Sequence, residues 1–247
     1  MTDLASDDDL IASIRTYYQP IITLVDMQPA YVEVLVRRAR PDGTVSGPET
    51  IVDAMTGSVR SMQLTMSIIA HALAEYDEYD FIKADLTLAF NVPLDAMMHP
   101  DLVPTLEAVR AKTRVPARNI RFELTEQHPV EDVAAAQAVV LALHQAGYCL
   151  ALDDISPDMP KISELLHLPT CGIKIDRSVV ISSDKSDKEF IRRVVAEAHV
   201  NRQQDVIAEG IETPELLEEM RSLGVSHGQG YLFARPIPAE KLREMIR

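Results

Sequence analysis

The chain has 247 residues, 47% of them hydrophobic, and 38 Asp and Glu against 24 Lys and Arg give a formal net charge of −14. That length and apolar fraction suffice for one large α/β core, while the charge argues against a duplex-binding surface, which depends on clustered Lys and Arg to neutralise phosphates. The acidic opening MTDLASDDDL lacks the order of a secretory leader and no apolar stretch approaches the ~20 residues that cross a bilayer, so no membrane is expected and the expected compartment is the cytoplasm.

Asp7-Asp8-Asp9 before Ile11 and Ile14 reads as a helix start, where negative charge opposes the positive end of the helix dipole. Residues 1–16 are therefore expected to form a helical extension and residues 17–247 one domain. Short apolar runs at 18–22, 31–36, 86–91, 120–125, 149–153, 172–175, 205–208 and 228–233 read as strands. Helically spaced stretches at 49–55, 61–75, 100–112, 130–146, 162–167, 188–201 and 214–223 lie between them. Thr213-Pro214 suits a helix start, with Thr as cap and Pro at the first position. Gly147 and Gly224 suit helix ends. No linker or low-complexity tract divides the chain. Alternation of strand and helix on this scale favours a closed (β/α)8 TIM-type barrel.

Polar residues fall in or at the ends of these strands: Glu33, Asn91, Glu123, Asp153 and Asp154, Lys174, Glu209 and Gln229. A buried carboxylate without a partner is costly, so a strand carries one there when something positive neutralises it. In a parallel barrel the C-terminal strand ends surround one mouth, where barrel enzymes place their chemistry. Glu, Asn and Asp supply hard oxygen donors, which suit Mg²⁺ or Mn²⁺ rather than zinc or copper. Two such ions about 3.5–4 Å apart polarise a phosphoryl oxygen and lower the pKa of a shared water, the chemistry of phosphodiester hydrolysis. Each acid taken alone reads as a solvated strand end, and it is their joint placement that points to a site.

With these residues in place, the sequence resembles the EAL-domain family of cyclic di-GMP phosphodiesterases. YYQPI, EVLVR at Glu33 to Arg37, FNVPLDAM, FELTEQ, ALDD, IKIDRSVV, VIAEGIET and GQGYLFARPIP follow in the family's order from about Tyr17 to the C-terminus. The resemblance implies a modified barrel whose first strand runs antiparallel to the rest. It implies that Glu33, Asn91, Glu123 and Asp153 hold one ion, with Asp153 bridging to a second held by Asp154 and Glu209. By the same likeness Lys174 orients the attacking water, Glu212 and Gln229 complete the polar shell, and Gln19, Leu35 and Arg37 contact the nucleotide. Glu33, Lys174 and Glu209 would carry the catalytic roles, and the product would be linear pGpG.

The sequence departs from the family after the paired aspartates. Where a glycine-rich loop of the form DDFGTGYSS is usual, this chain reads Ile155-Ser156-Pro157-Asp158-Met159-Pro160-Lys161. Two prolines fix φ and remove two N–H donors where the family has glycines. Glu126, the residue that would anchor this loop, is retained. Two readings stay open: a phosphodiesterase with an altered loop, or a cyclic di-GMP receptor acting through a protein partner. The intact acidic set favours the first.

Cys149 and Cys171 form no CxxC pair and read as core thiols. The histidines show no ligand spacing, and His227 beside Gly228-Gln229 is expected to be structural. Met55, Met62, Met66, Met97 and Met98 read as core filler or a subunit contact. Apolar residues between Thr56 and Met66, together with the family's habit of two-fold pairing, imply a homodimer.

Overall fold

A computed structural model describes residues 7–125, 133–159, 170–200 and 205–246. Glu126, the candidate helix at 162–167 and the Pro160-Lys161 end of the altered loop lie outside these residues. Helix α1 (Asp7–Ser13) carries its three aspartates in the first turn and Asp7 pairs with Arg60. Strand β1 (Ile14–Thr23) then runs antiparallel to β2 (Pro29–Ala39), which also carries the two-residue strand β3 (Val45–Ser46). From β2 the pairing is parallel through β4 (Leu88–Pro93), β5 (Ile120–Thr125), β6 (Cys149–Ile155), β7 (Gly172–Ile175), β8 (Asp205–Ala208) and β9 (His227–Gly228). Strand β9 pairs antiparallel with β1 and closes the ring. The fold is thus an α/β barrel of the TIM type, as the strand and helix alternation predicts, with its first strand reversed, as the family resemblance implies.

The outer layer comprises α2 (Glu49–Val52), α3 (Ser58–Glu78), α4 (Leu94–Met97), α5 (Leu102–Arg110), α6 (Val133–Gln145), α7 (Arg177–Ile181), α8 (Lys185–Val200), α9 (Pro214–Ser222) and α10 (Ala239–Met245). Val32, Val34, Phe90, Phe122, Leu150 and Leu152 face these helices and form the main core with Ile69, Leu73 and Leu106. The residues between them turn inward, because successive side chains on a strand point to opposite faces. Ile21, Tyr31, Ala89 and Ile207 pack inside the barrel as a separate apolar layer. Below it, Arg121 is stacked 4.1 Å over the Tyr31 ring and paired with Asp205 at 3.0 Å, plugging the end opposite the strand C-termini.

Several sequence expectations change in detail. The run at 228–233 is not a strand beyond Gly228: Phe233 and Ala234 donate their N–H groups back to the Gly230 carbonyl, so the chain turns. Gly230 sits so close to Ile211 that a Cβ there would lie 2.1 Å from its carbonyl oxygen, which only glycine permits. The cysteines are not separate core thiols. Cys149 opens β6 and Cys171 precedes β7, and with Cα atoms 5.9 Å apart they form a disulfide within the usual range. Helix α2 is shorter than expected and α3 longer. The Thr213 hydroxyl accepts from the Leu216 N–H, and Gly147 and Gly224 have positive φ, so these caps form as predicted.

Candidate active site

Moving two residues along each strand from the inner apolar layer reaches the C-terminal mouth, and there every barrel strand presents a polar side chain. Gln19 lies opposite Glu33 across β1 and β2, and Asn91 lies opposite Glu123 across β4 and β5. Asp153 on β6 and Lys174 on β7 continue the ring, and Glu209 and Gln229 follow the last residues of β8 and β9. The period of two thus converts separated sequence positions into one layer.

Lys174 is the hub of that layer. Only 1% of its side chain is exposed, and its Nζ lies 2.7 Å from Glu209, 2.9 Å from Asp153, 3.0 Å from Glu123 and 3.8 Å from Glu33. Burial would lower the pKa of this ammonium, but the charges of Asp153, Glu123, Glu209 and Glu33 outweigh it and raise the pKa well above the ordinary lysine value. Glu33 also accepts from the Asn91 amide at 2.5 Å and from the Gln229 amide at 2.5 Å. Gln229 reaches Gln19 at 3.2 Å, and Gln19 in turn donates to the Ala234 carbonyl.

One lysine does not neutralise this set. Burial raises the pKa of Glu123 well above the carboxylate range and raises that of Asp153. Burial likewise pushes Glu209 up to about 8. At the rim, the Asp154 carboxyl is pushed up to about 6 by partial burial and then by the charge of Asp153. Glu123, Asp153 and Glu209 hold their negative charge where water does not reach well, whereas Asp154 is open to solvent on one side. Glu123 Oε1 is buried without a hydrogen-bond partner. Asp153, Asp154 and Glu209 each offer an oxygen within 4.8 Å of the others. An all-oxygen set with excess negative charge and an orphaned buried oxygen fits hard divalent cations.

The mouth is an open pocket of about 550 Å³, lined by this ring except the fully buried Glu123, together with Asp154, Glu212 and Tyr231. A second, more apolar recess of about 240 Å³ adjoins it along Asn91 and Asp154, and Leu35 and Arg37 line that recess rather than the acidic centre. Asp154 has φ +53, a left-handed conformation uncommon outside glycine and asparagine, and its N–H donates to the Asp153 side chain at 3.0 Å. Neither Ser156 nor Asp158 has positive φ; instead Met159 donates to the Ser156 carbonyl in a tight turn around Pro157. The described part of this segment is thus a turn around Pro157 without positive φ.

Residues 8–236 match the EAL domain. The chain belongs to the EAL domain family. Two curated relatives from Pseudomonas aeruginosa are named cyclic di-GMP phosphodiesterases: PA2567 is 29% identical over 93% of this chain and 39% of its own length, and NbdA is 26% identical over 99% and 32%. This EAL domain thus spans about a third of the length of these relatives. Among solved structures, the EAL enzyme Bd1971 in its cAMP and cyclic-di-GMP bound form is 28% identical, with a TM-score of 0.85 over 95% of this chain and 65% of that one.

Of the residues singled out in the sequence, Glu33, Asn91, Asp153, Asp154, Lys174, Glu209, Gln19, Glu212 and Gln229 come together around the EAL-domain mouth, and Glu123 lies buried behind them against Lys174. His227 stays out of it, hydrogen-bonded to Ser226 Oγ at 2.9 Å near Asp205, with its pKa lowered by burial. Sequence reading missed Arg177, Gly210, Gly230 and Tyr231, which also line the pocket. Each lies within three residues of a polar strand end, and that proximity was the available signal.

Proposed function

We propose that this EAL domain binds cyclic di-GMP across the barrel mouth and hydrolyses one of its phosphodiester bonds to linear pGpG with two Mg²⁺ or Mn²⁺ ions. The observation that carries this reading is the single layer of carboxylates around Lys174, with more buried negative charge than one lysine offsets and with Glu123 Oε1 left without a partner. The cyclic-di-GMP bound form of Bd1971 and the names of the two Pseudomonas relatives point the same way.

In this reading Glu33, Asn91, Glu123 and Asp153 hold one ion, while Asp153, Asp154 and Glu209 hold the other. Bound there, the ions polarise the phosphoryl oxygens and lower the pKa of a water. Lys174 donates to the water and offsets charge gathering on phosphorus, Glu33 and Glu209 fix the ammonium in place, and Gln229 and Asn91 fix Glu33. Water oxygen bonds to phosphorus, the bond to one ribose 3′ oxygen breaks, and that oxygen leaves as a hydroxyl carrying a proton from the water. Gln19, Leu35, Arg37 and Glu212 contact the rest of the dinucleotide.

A second reading, a receptor that binds without cleaving and signals to a protein partner, draws on the proline turn at Ser156–Met159 in place of the flexible loop. The two separate in one assay. Purified protein incubated with cyclic di-GMP and Mg²⁺ or Mn²⁺ is expected to release pGpG; binding without any product, at high protein concentration and with either metal, replaces the enzyme by the receptor. The domain is further proposed to act in the cytoplasm and as a homodimer. Among the described residues no helix is long and apolar enough to cross a membrane.

A further inference from the structure

We propose that Arg177 binds the phosphate of the dinucleotide that is not being cleaved, and that Glu212 holds its guanidinium in readiness when the mouth is empty. This rests on the cyclic di-GMP reading above. A cyclic dinucleotide carries two phosphodiester charges, and the acidic centre accounts for only one. The second must find a cation in a mouth whose own charge, like that of the chain, is strongly negative.

Among the described residues lining that mouth, the cations are Lys174 and Arg177, while Arg37 lines the adjoining recess on the other side. Lys174 is committed to four carboxylates and is 1% exposed, so it cannot leave the centre. Arg177 is the opposite case: its side chain is 56% exposed and its Nη2 makes a 2.9 Å pair with Glu212, itself 43% exposed. An exposed pair of this kind is weak in water, so a phosphate can displace the carboxylate at little cost. The planar guanidinium then offers two parallel donors to the phosphate oxygens.

The stem of Arg177 is placed for this. The Asp176 side chain accepts from the Ser178 N–H at 2.8 Å and fixes the start of α7, with Arg177 as its first residue. The stem then crosses Gly210, where a Cβ would lie 2.3 Å from Cγ, 2.6 Å from Cδ and 2.9 Å from Nε of Arg177. Gly210, at φ +72, thus lets the stem lie against its backbone, and a Cβ there would push the stem aside. The arginine is held by its stem while its head exchanges partners. Strand β7 stands across the eight-stranded ring from β2, so Arg177 and Arg37 serve opposite sides of one ligand.

The test compares wild type with Arg177→Ala and Arg177→Lys on two substrates, cyclic di-GMP and bis(p-nitrophenyl) phosphate, which has a single phosphate. Losing a bidentate charged contact is expected to raise KM for cyclic di-GMP about tenfold or more in Arg177→Ala, with a smaller rise in Arg177→Lys. The kcat for the dinucleotide and the rate on bis(p-nitrophenyl) phosphate should stay within about threefold of wild type. Equal losses on both substrates, or no change in KM, overturn the assignment. If wild type binds cyclic di-GMP without turnover, the comparison is read in Kd: a tenfold loss for cyclic di-GMP beside an unchanged Kd for GMP supports it, and parallel losses overturn it. A wild-type chain that does not bind cyclic di-GMP at all overturns the reading beneath it.

Discussion

Glu209 and Asp154 show most directly what the mouth costs the folded chain. Glu209 is pushed from its ordinary 4.5 to about 8 by burial, and Asp154 from 3.8 to about 6. Over those intervals the folded chain keeps protons that the unfolded chain has released, so stability falls as pH rises through them. Carboxylates held low by partners, such as Glu107 hydrogen-bonded to Arg110, act below their ordinary values and do not offset this loss. In the presence of EDTA, the melting temperature is expected to decline between about pH 6.5 and pH 8, above the range where His227, with its pKa lowered by burial, adds stability as pH rises. Added Mg²⁺ or Mn²⁺ binds the ionised form and should raise the melting temperature more at the alkaline end. A melting temperature that climbs across this interval without metal would show that the acids are not strained. Lys174 was legible in the sequence as a polar residue inside a strand, but its role as hub was not, because it depends on four strands meeting in space.

At the scale of elements, the strands were legible where hydrophobic runs are continuous, as in β5 and β7, whose bounds match the sequence reading. The last run was misread because its apolar residues serve a turn: Leu232 and Phe233 pack against the core below a turn forced by Gly230, which periodicity does not register. That turn presents Tyr231 to the mouth with Arg235 stacked 4.0 Å from its ring. Gly230→Ala would press a methyl group against the Ile211 backbone, which cannot yield as a side-chain tip can. Overpacking of this kind costs about 1–3 kcal/mol, so the variant is expected to melt several degrees lower and to bind cyclic di-GMP more weakly. Calorimetry checks both, and an unchanged melting temperature would mean that the loop moves freely. The disulfide was also missed, since pairing of Cys149 with Cys171 follows from the adjacency of β6 and β7 rather than from spacing. It closes the stretch that contains Asp153, Asp154 and the proline turn.

For the whole molecule, the order of strands turns a scattered set of acids into a ring. The closed barrel with β1 reversed brings Gln19 beside Glu33 on one side and Gln229 on the other, which a purely sequential reading of the motifs would leave apart. The fold class and most of the ring were legible because each polar residue interrupts an otherwise apolar strand; the rim residues Arg177 and Tyr231 were not, because exposed arginine and tyrosine carry no such contrast. The most direct measurement of the central claim is an anomalous difference map at the manganese edge from crystals soaked in Mn²⁺ with cyclic di-GMP. Two peaks are expected inside the mouth, one among Glu33, Asn91, Glu123 and Asp153 and one among Asp153, Asp154 and Glu209. A map with no peak there, while the dinucleotide is bound, would contradict the account.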